Sequence, residues 1–296
     1  MTVATFTHAS GVESSSAFTA TVTDSDGHTW SGVSISGPVA GVYTIKATQP
    51  QFSEDGSKTV TVTIGETGES PSSTPVTDSL TVNEPAINGS SATLPTITAG
   101  APSATVTVAT FTHANGIEPA TDFTVTVNWG IAGHTADPAT VTQSGNTYTV
   151  TATRPVYTLA TTYTVSVSIS EDNVSTVVTD TQNVIPGTAS KLSFFRNPSN
   201  TPDGNVISPS VIVQVTDSLG NPVHLAGVNV TLSIPFVTLY GTLSLKTNAN
   251  GQAIFTNLRL FTLGRFRLKA SAIFGSVLSN LFTISVNPAL GGKRPI

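Results

Sequence analysis

The chain of 296 residues contains the same eleven-residue stretch twice. VATFTHASGVE at 3–13 returns as VATFTHANGIE at 108–118, an offset of 105 residues. Phe18, Tyr43, Pro50, Val62 and Ile64 meet Phe123, Tyr148, Pro155, Val167 and Ile169 at that same offset. A match sustained over such a length is a duplicated domain, and a unit of roughly 100 residues can bury a core of its own.

Within each copy the side chains alternate with the two-residue period of a strand. Phe18, Ala20 and Val22 point one way and Thr19, Thr21 and Thr23 the other; the second copy sets Phe123, Val125, Val127 and Trp129 against Thr124, Thr126 and Asn128. TYTVTATRP (147–155) and TYTVSVSIS (162–170) continue the pattern between short turn-prone stretches. Only 10% of the residues are charged, against about 25% in an ordinary soluble domain. Threonine, serine and valine fill the gap, and β-branched residues suit the pleated surface of a sheet better than a helix. Coiled coil, charge-driven disorder and polybasic nucleic-acid binding are excluded, and the chain is expected to be all-β.

From about 187 the sequence changes character. ASKLSFFRNPS (189–199), SPSVIVQVTDSLGNPV (208–223), AGVNVTLSI (226–234), TNANGQAIFTNLRL (247–260), GRFRLKASA (264–272) and LFTISV (281–286) predict about seven strands of a third sandwich. SLGN (218–221) and NANG (248–251) supply Gly and Asn for tight hairpins. The expected map is a first sandwich at 1–70, its second copy at 77–186, a third sandwich at 187–290 and a basic tail at 291–296, arranged as an elongated rod. Residues 77–106 are assigned to the opening strands of the second copy. The first copy has nothing before Val3, so an open edge is expected there. Either the chain is an excerpt of a longer protein, or a neighbouring copy donates the strand and builds a head-to-tail fibre.

The third domain, through VTDSLGNPV, AGVNVTLS, TNANGQAIF and the terminal FTIS, resembles the bacterial immunoglobulin-like domains of the intimin and invasin type. It is also similar to repeats of very large surface proteins of planctomycetes. The two N-terminal copies resemble the PKD-like repeats of the same proteins, whose pattern runs VATFTD…FTATINWGDGT…YTVTVTI. The resemblance implies tandem immunoglobulin-like sandwiches at the cell surface or outside the cell. His8 and His113 stand where the family has an acidic residue, and its NWGDG is here Asn128-Trp129-Gly130-Ile131-Ala132-Gly133.

Charge is sorted along the chain. Residues 1–186 hold three basic and fifteen acidic side chains, a net −12, and residues 187–296 hold nine basic and two acidic, a net +7. Arg265, Arg267 and Lys269 alternate with Phe266, Leu268 and Ala270, which puts three cations on the solvent face of one strand, with Arg259 on the strand before it. Such cations either keep an exposed edge from pairing or form a docking surface for an anion: an acidic module of another copy or a surface polysaccharide. Nucleic-acid readers interleave cations with stacking aromatics, and Phe266 points inward, so nucleic acid is not the expected partner.

Asp24-Ser25-Asp26-Gly27 has the outline of a calcium loop, which Glu13 or the Glu66–Glu69 stretch would complete. Calcium is the one cofactor candidate. The alternative is a hairpin turn with exposed acids. His8 and His113 recur at one offset and His28 and His134 within GHT triplets; two imidazoles brought together can hold zinc, but duplication suffices to explain them as exposed loop side chains.

With no cysteine there is no disulfide framework, thiolate metal site or cysteine nucleophile. No G-x-S-x-G, P-loop, dinucleotide fingerprint or HExxH occurs, so no catalysis is expected. No apolar run reaches the 18 or so residues of a membrane helix, and Met1–Phe6 lacks the pattern of a secretory signal, so any export or anchoring signal is expected to lie outside this chain or never to have been present. The expected role is a non-enzymatic spacer or cell-surface adhesin segment. Its alternatives are a self-assembling fibre or surface-layer subunit and a carbohydrate-binding accessory module, the last resting on Trp30, Tyr157 and Tyr240 as exposed aromatics.

Overall fold

The computed structural model describes residues 1–52, 54–68, 75–113 and 118–288; the expected tail at 291–296 lies outside them. Its first repeat has strands β1 (Thr2–Thr7), β2 (Phe18–Asp24), β3 (Ser31–Val39), β4 (Val42–Thr48), β5 (Gly56–Glu66) and β6 (Val76–Val82). One sheet runs β1-β4-β3 and the other β2-β5-β6. Val22, Ile45 and Val62, one from each of three strands, close the core between them with Trp30. The threonines between these positions face water, as the alternation predicts.

The second repeat holds β7 (Ile87–Ser91), β8 (Ile97–Thr98), β9 (Ala104–His113), β10 (Thr124–Asn128), β11 (Asp137–Pro138), β12 (Thr140–Ser144), β13 (Thr147–Arg154), β14 (Thr162–Glu171) and β15 (Val174–Ile185). Its sheets run β12-β13-β9-β7 and β11-β10-β14-β15-β8. Phe123, Val125, Val127 and Trp129 are all buried between them.

One boundary differs from the sequence expectation. Residues 76–82 do not open the second repeat; β6 pairs antiparallel with β5, Val62 opposite Val76 and Gly56 opposite Val82, so the first repeat's sheet extends to Val82. The same hairpin exists in the second repeat, where Glu171 pairs Val174 across a two-residue turn. In the first repeat residues 67–75 separate the two strands. The longer connection breaks the 105-residue register and hides the equivalence. The second repeat begins with β7, which covers the edge of β9, Ile87 opposite His113. Among the described residues no strand takes that place beside β1, which sits at the margin of its sheet.

The third domain contains β16 (Lys191–Arg196), β17 (Thr201–Pro202), β18 (Val211–Thr216), β19 (Asn229–Ser233), β20 (Ser244–Lys246), β21 (Gln252–Phe255), β22 (Gly264–Phe266), β23 (Lys269–Ala272), β24 (Gly275–Leu278) and β25 (Phe282–Ser285). Every residue of β18 is buried, the mark of a central strand. Both predicted hairpins form. Asp217 N–H donates to the Asn221 carbonyl at 2.9 Å, and Asn248 N–H to the Gln252 carbonyl at 2.9 Å. In the second turn Gly251 has φ 72°, and a Cβ there would lie 2.0 Å from the Val223 carbonyl oxygen, so no other residue fits.

The basic run is a second correction. It is not one strand: β22 pairs with β25, whereas β23 pairs with β19 and β24. The chain crosses between sheets at Arg267-Leu268. Inward and outward alternation persists through the crossing, with Leu268 and Ala270 fully buried. Among the described residues the one helix is a 3-10 turn at Ser15–Ala17, and no helix is long and apolar enough to cross a membrane.

Candidate cation centres and the clasp between modules

A two-residue period places His113 on the same face of β9 as Phe111, and both are buried, at 0% and 1% exposure. Phe111 stacks on Tyr148 at 4.7 Å, Phe123 packs against both at 4.8 Å, and the His113 ring lies 5.7 Å from Phe123. The first repeat builds the same group from Phe6, Tyr43, Phe18 and His8, with Phe6 stacked on Tyr43 at 4.8 Å. His113 is thus a core residue, which corrects the expectation of an exposed loop side chain. His8 is half-buried. His28 and His134 remain partly exposed beside Asp24 and Asp137.

The tyrosine hydroxyl then fixes a glutamate. Tyr148 Oη donates to the Glu118 carbonyl at 2.8 Å and accepts from the Glu118 N–H at 3.0 Å. Tyr43 does the same to Glu13 at 2.8 and 3.0 Å. Glu171, the last residue of β14, approaches from the opposite sheet, and Glu84 from the connection between β6 and β7. Around His113 the distances are 2.8 Å from Nε2 to Glu84 Oε1, 3.8 Å from Nε2 to Glu171 Oε2 and 3.2 Å from Nδ1 to Glu118 Oε2. Nε2 also lies 3.1 Å from the Pro85 carbonyl oxygen. One ligand atom from each of these four residues falls within 4.8 Å of all the others. His8, Glu13 and Glu66, at the same 105-residue offset, form the corresponding group, with 3.7 Å from Nδ1 to Glu13 and 3.4 Å from Nε2 to Glu66.

Three carboxylates gathered inside a protein are costly unless a proton or a cation neutralises them. Burial, reinforced by the Glu118 carboxyl beside it, pushes Glu171 up to about 8. Burial also raises Glu84, opposed by His113 and aided by Glu118. Asp55 and Asp172 gather with Glu84 as a second acidic group.

Asp24 and Asp26, the pair expected to bind calcium, are held by groups of the first repeat. Asp24 accepts from the N–H groups of Asp26 and His28, each at 3.0 Å, and from Trp30 Nε1 at 2.9 Å. Burial alone would raise its carboxyl, but Trp30 and His28 outweigh burial and hold it below the usual range. Asp26 pairs with Lys58 Nζ at 2.8 Å. Glu13 and Glu66 lie with His8 rather than with these aspartates, and Glu69 lies outside the described residues.

Arg259, Arg265, Arg267 and Lys269 are all exposed. They are not assembled as one row. Arg259 pairs with Val206 and Tyr240 and donates to the Gly204 carbonyl at 2.7 Å, and Arg267 donates to the Ser279 carbonyl at 2.7 Å.

The second and third domains meet in a hydrogen-bonded clasp that nothing in the sequence announced. Asn221, at the end of the SLGN turn, accepts from Ala160 N–H at 2.8 Å and donates to the Thr158 carbonyl at 3.0 Å. It also donates to Asp217 at 2.9 Å. Asp217 in turn accepts from the N–H groups of Gly187 in the linker, Leu219 and Asn221 at 2.8–2.9 Å. Both side chains are buried, at 1% and 3% exposure. Burial opposes ionisation of Asp217, yet Asn221 and the three N–H groups together hold its carboxyl below the usual value.

Residues 187–288 match the family described as SMCHD1 Ig-like domain 6. No curated protein matches the chain. Among solved structures it is similar to a run of titin domains, at 12% identity and a TM-score of 0.31 over 91% of this chain and 88% of that one. It is similar to a tetra-tandem repeat from the extending region of a large adhesion protein, at 19% identity and a TM-score of 0.36 over 91% and 66%. It is also similar to the adhesin InvE of Yersinia pseudotuberculosis, at 20% identity and a TM-score of 0.27 over 68% of this chain and 58% of that one. The fold is that of tandem immunoglobulin-like β-sandwiches.

Proposed function

We propose that the chain is a non-enzymatic segment of an extracellular structural or adhesive protein, whose modules hold a binding element at a set distance and angle. The Asp217–Asn221 clasp carries this proposal. A linker meant to be flexible exposes its backbone to water, whereas this one engages a buried carboxylate through Gly187 N–H. The resemblance of the third domain to intimin- and invasin-type domains, and of the first two to PKD-like surface repeats, supports the cell-surface setting. Sedimentation velocity of the full chain is the test: a concentration-independent monomer with a high frictional ratio is expected, and compact or associating material contradicts it.

The margin of β1, without a neighbouring strand among the described residues, and the opposed charges of the two chain halves favour a second reading, a fibre subunit joined by strand donation. That arrangement gives filaments whose growth falls with added salt. The carbohydrate-binding reading named three aromatics, Trp30, Tyr157 and Tyr240, as its surface platform. Trp30 and Tyr157 are core residues at 3% and 1% exposure, which leaves Tyr240 alone of the three candidates exposed.

A further inference from the structure

We propose that the second repeat binds a divalent first-row transition cation, for which zinc is the probe, through His113 Nε2, Glu84 and Glu171, with Glu118 positioning the imidazole. This goes beyond a display role and does not depend on it.

Four observations support the site. The first is the donor set. His113 Nε2 faces Glu84 Oε1 and Glu171 Oε2 at 2.8 and 3.8 Å. Ligands held about 2 Å from one tetrahedral centre stand roughly 3.3 Å apart, inside that span. The second is burial with too few partners. Glu84 Oε1 and Glu171 Oε2 make no well-directed hydrogen bond among the described residues beyond their approach to His113 Nε2 and, for Glu171, to the Glu118 carboxyl, and both side chains are only 8% exposed. Carboxylates removed from water around a single imidazole are a cost that a cation converts into binding.

The third is the far side of the ring. Glu118 Oε2 lies 3.2 Å from Nδ1, and the Tyr148 hydroxyl fixes the Glu118 backbone. A carboxylate on one ring nitrogen sets the tautomer and orientation of a histidine that ligates through the other. The fourth is repetition: His8, Glu13 and Glu66 reproduce three of the four positions, but with one carboxylate on the Nε2 side and more exposure.

Chemistry selects the ion class. Calcium takes six to eight oxygens, whereas an imidazole with two carboxylates suits zinc or a neighbouring transition ion and leaves a position for water. Two ligating carboxylates balance the charge of such an ion. Nε2 lies 3.1 Å from the Pro85 carbonyl oxygen, and a cation that takes the lone pair of this nitrogen releases to solvent any proton held there. Because Glu84 belongs to the connection leaving the first repeat, the ion ties that connection to the end of the second.

The test is calorimetric titration of the full chain, without a polyhistidine tag, with zinc, manganese and calcium chlorides, together with the ring-nitrogen NMR signals of His113. One tight zinc site per chain is expected, with calcium at least tenfold weaker and the Nε2 resonance moving on binding. Glu84→Gln, a change in a connection rather than in a strand, is expected to weaken zinc about tenfold or more, while Glu66→Gln in the first repeat leaves the tight site unaltered. Absence of saturable zinc uptake, uptake indifferent to Glu84→Gln, or calcium binding more tightly than zinc overturns the proposal. None of these results bears on whether the chain is a monomeric spacer, which the sedimentation experiment decides separately.

Discussion

The hydroxyl of Tyr148 holds both backbone polar groups of Glu118, its carbonyl at 2.8 Å and its N–H at 3.0 Å. The pair lies 30 residues apart in sequence and recurs as Tyr43 and Glu13. A phenylalanine in its place keeps the aromatic stack but strands a buried N–H and C=O. Tyr148→Phe is therefore expected to cost about 1–3 kcal/mol, and Tyr43→Phe less, because Glu13 is only partly buried. Urea unfolding of the two variants measures the difference.

The hairpin at 24–30 is organised by the carboxylate of Asp24. Asp24 gathers two backbone N–H groups and the Trp30 indole. Asp24→Ala is expected to destabilise the first repeat by about 2–3 kcal/mol, a loss that added calcium does not restore. Thermal unfolding with and without calcium checks both parts.

The clasp between the second and third domains has a pH signature. Asp217 ionises more readily in the folded chain than in the unfolded one, so its contribution is complete above about pH 4 and is lost as pH falls through its lowered folded value. Stability followed from neutral pH into acid is expected to fall more steeply for the native chain than for Asp217→Asn. Parallel profiles contradict the assignment.

Two glycines separate backbone conformation from collision. Gly227 and Gly251 both have positive φ, at 84° and 72°, but a Cβ at Gly227 meets nothing within 4 Å while at Gly251 it meets the Val223 carbonyl oxygen. Gly227→Ala is expected to cost about 1 kcal/mol. Gly251→Ala adds the clash and is expected to cost clearly more, by the same unfolding measurement.

Much of the fold was legible because duplication and two-residue alternation are local signals. Phe123, Val125, Val127 and Trp129 all point inward as their spacing requires. The same period placed His113 two residues beyond Phe111, inside the core; reading it as an exposed loop side chain missed it. The recurrence of Glu66 as Glu171 was the remaining signal for the cluster. What failed depended on long-range pairing. Nothing local tells 76–82 to pair backward onto β5, or tells 264–272 to divide between two sheets. The clasp was invisible for the same reason, since Asn221 meets Thr158 and Ala160 more than sixty residues away.

The rigid joint between the second and third domains is tested most directly by pulsed electron spin resonance distances across it. The chain has no cysteine, so Ser144→Cys and Ser276→Cys, both exposed positions, take spin labels uniquely. A single narrow distance distribution is expected, broadening when Asn221→Ala is added. A broad distribution in the otherwise native chain, unchanged by Asn221→Ala, would contradict a fixed joint and with it the role in display.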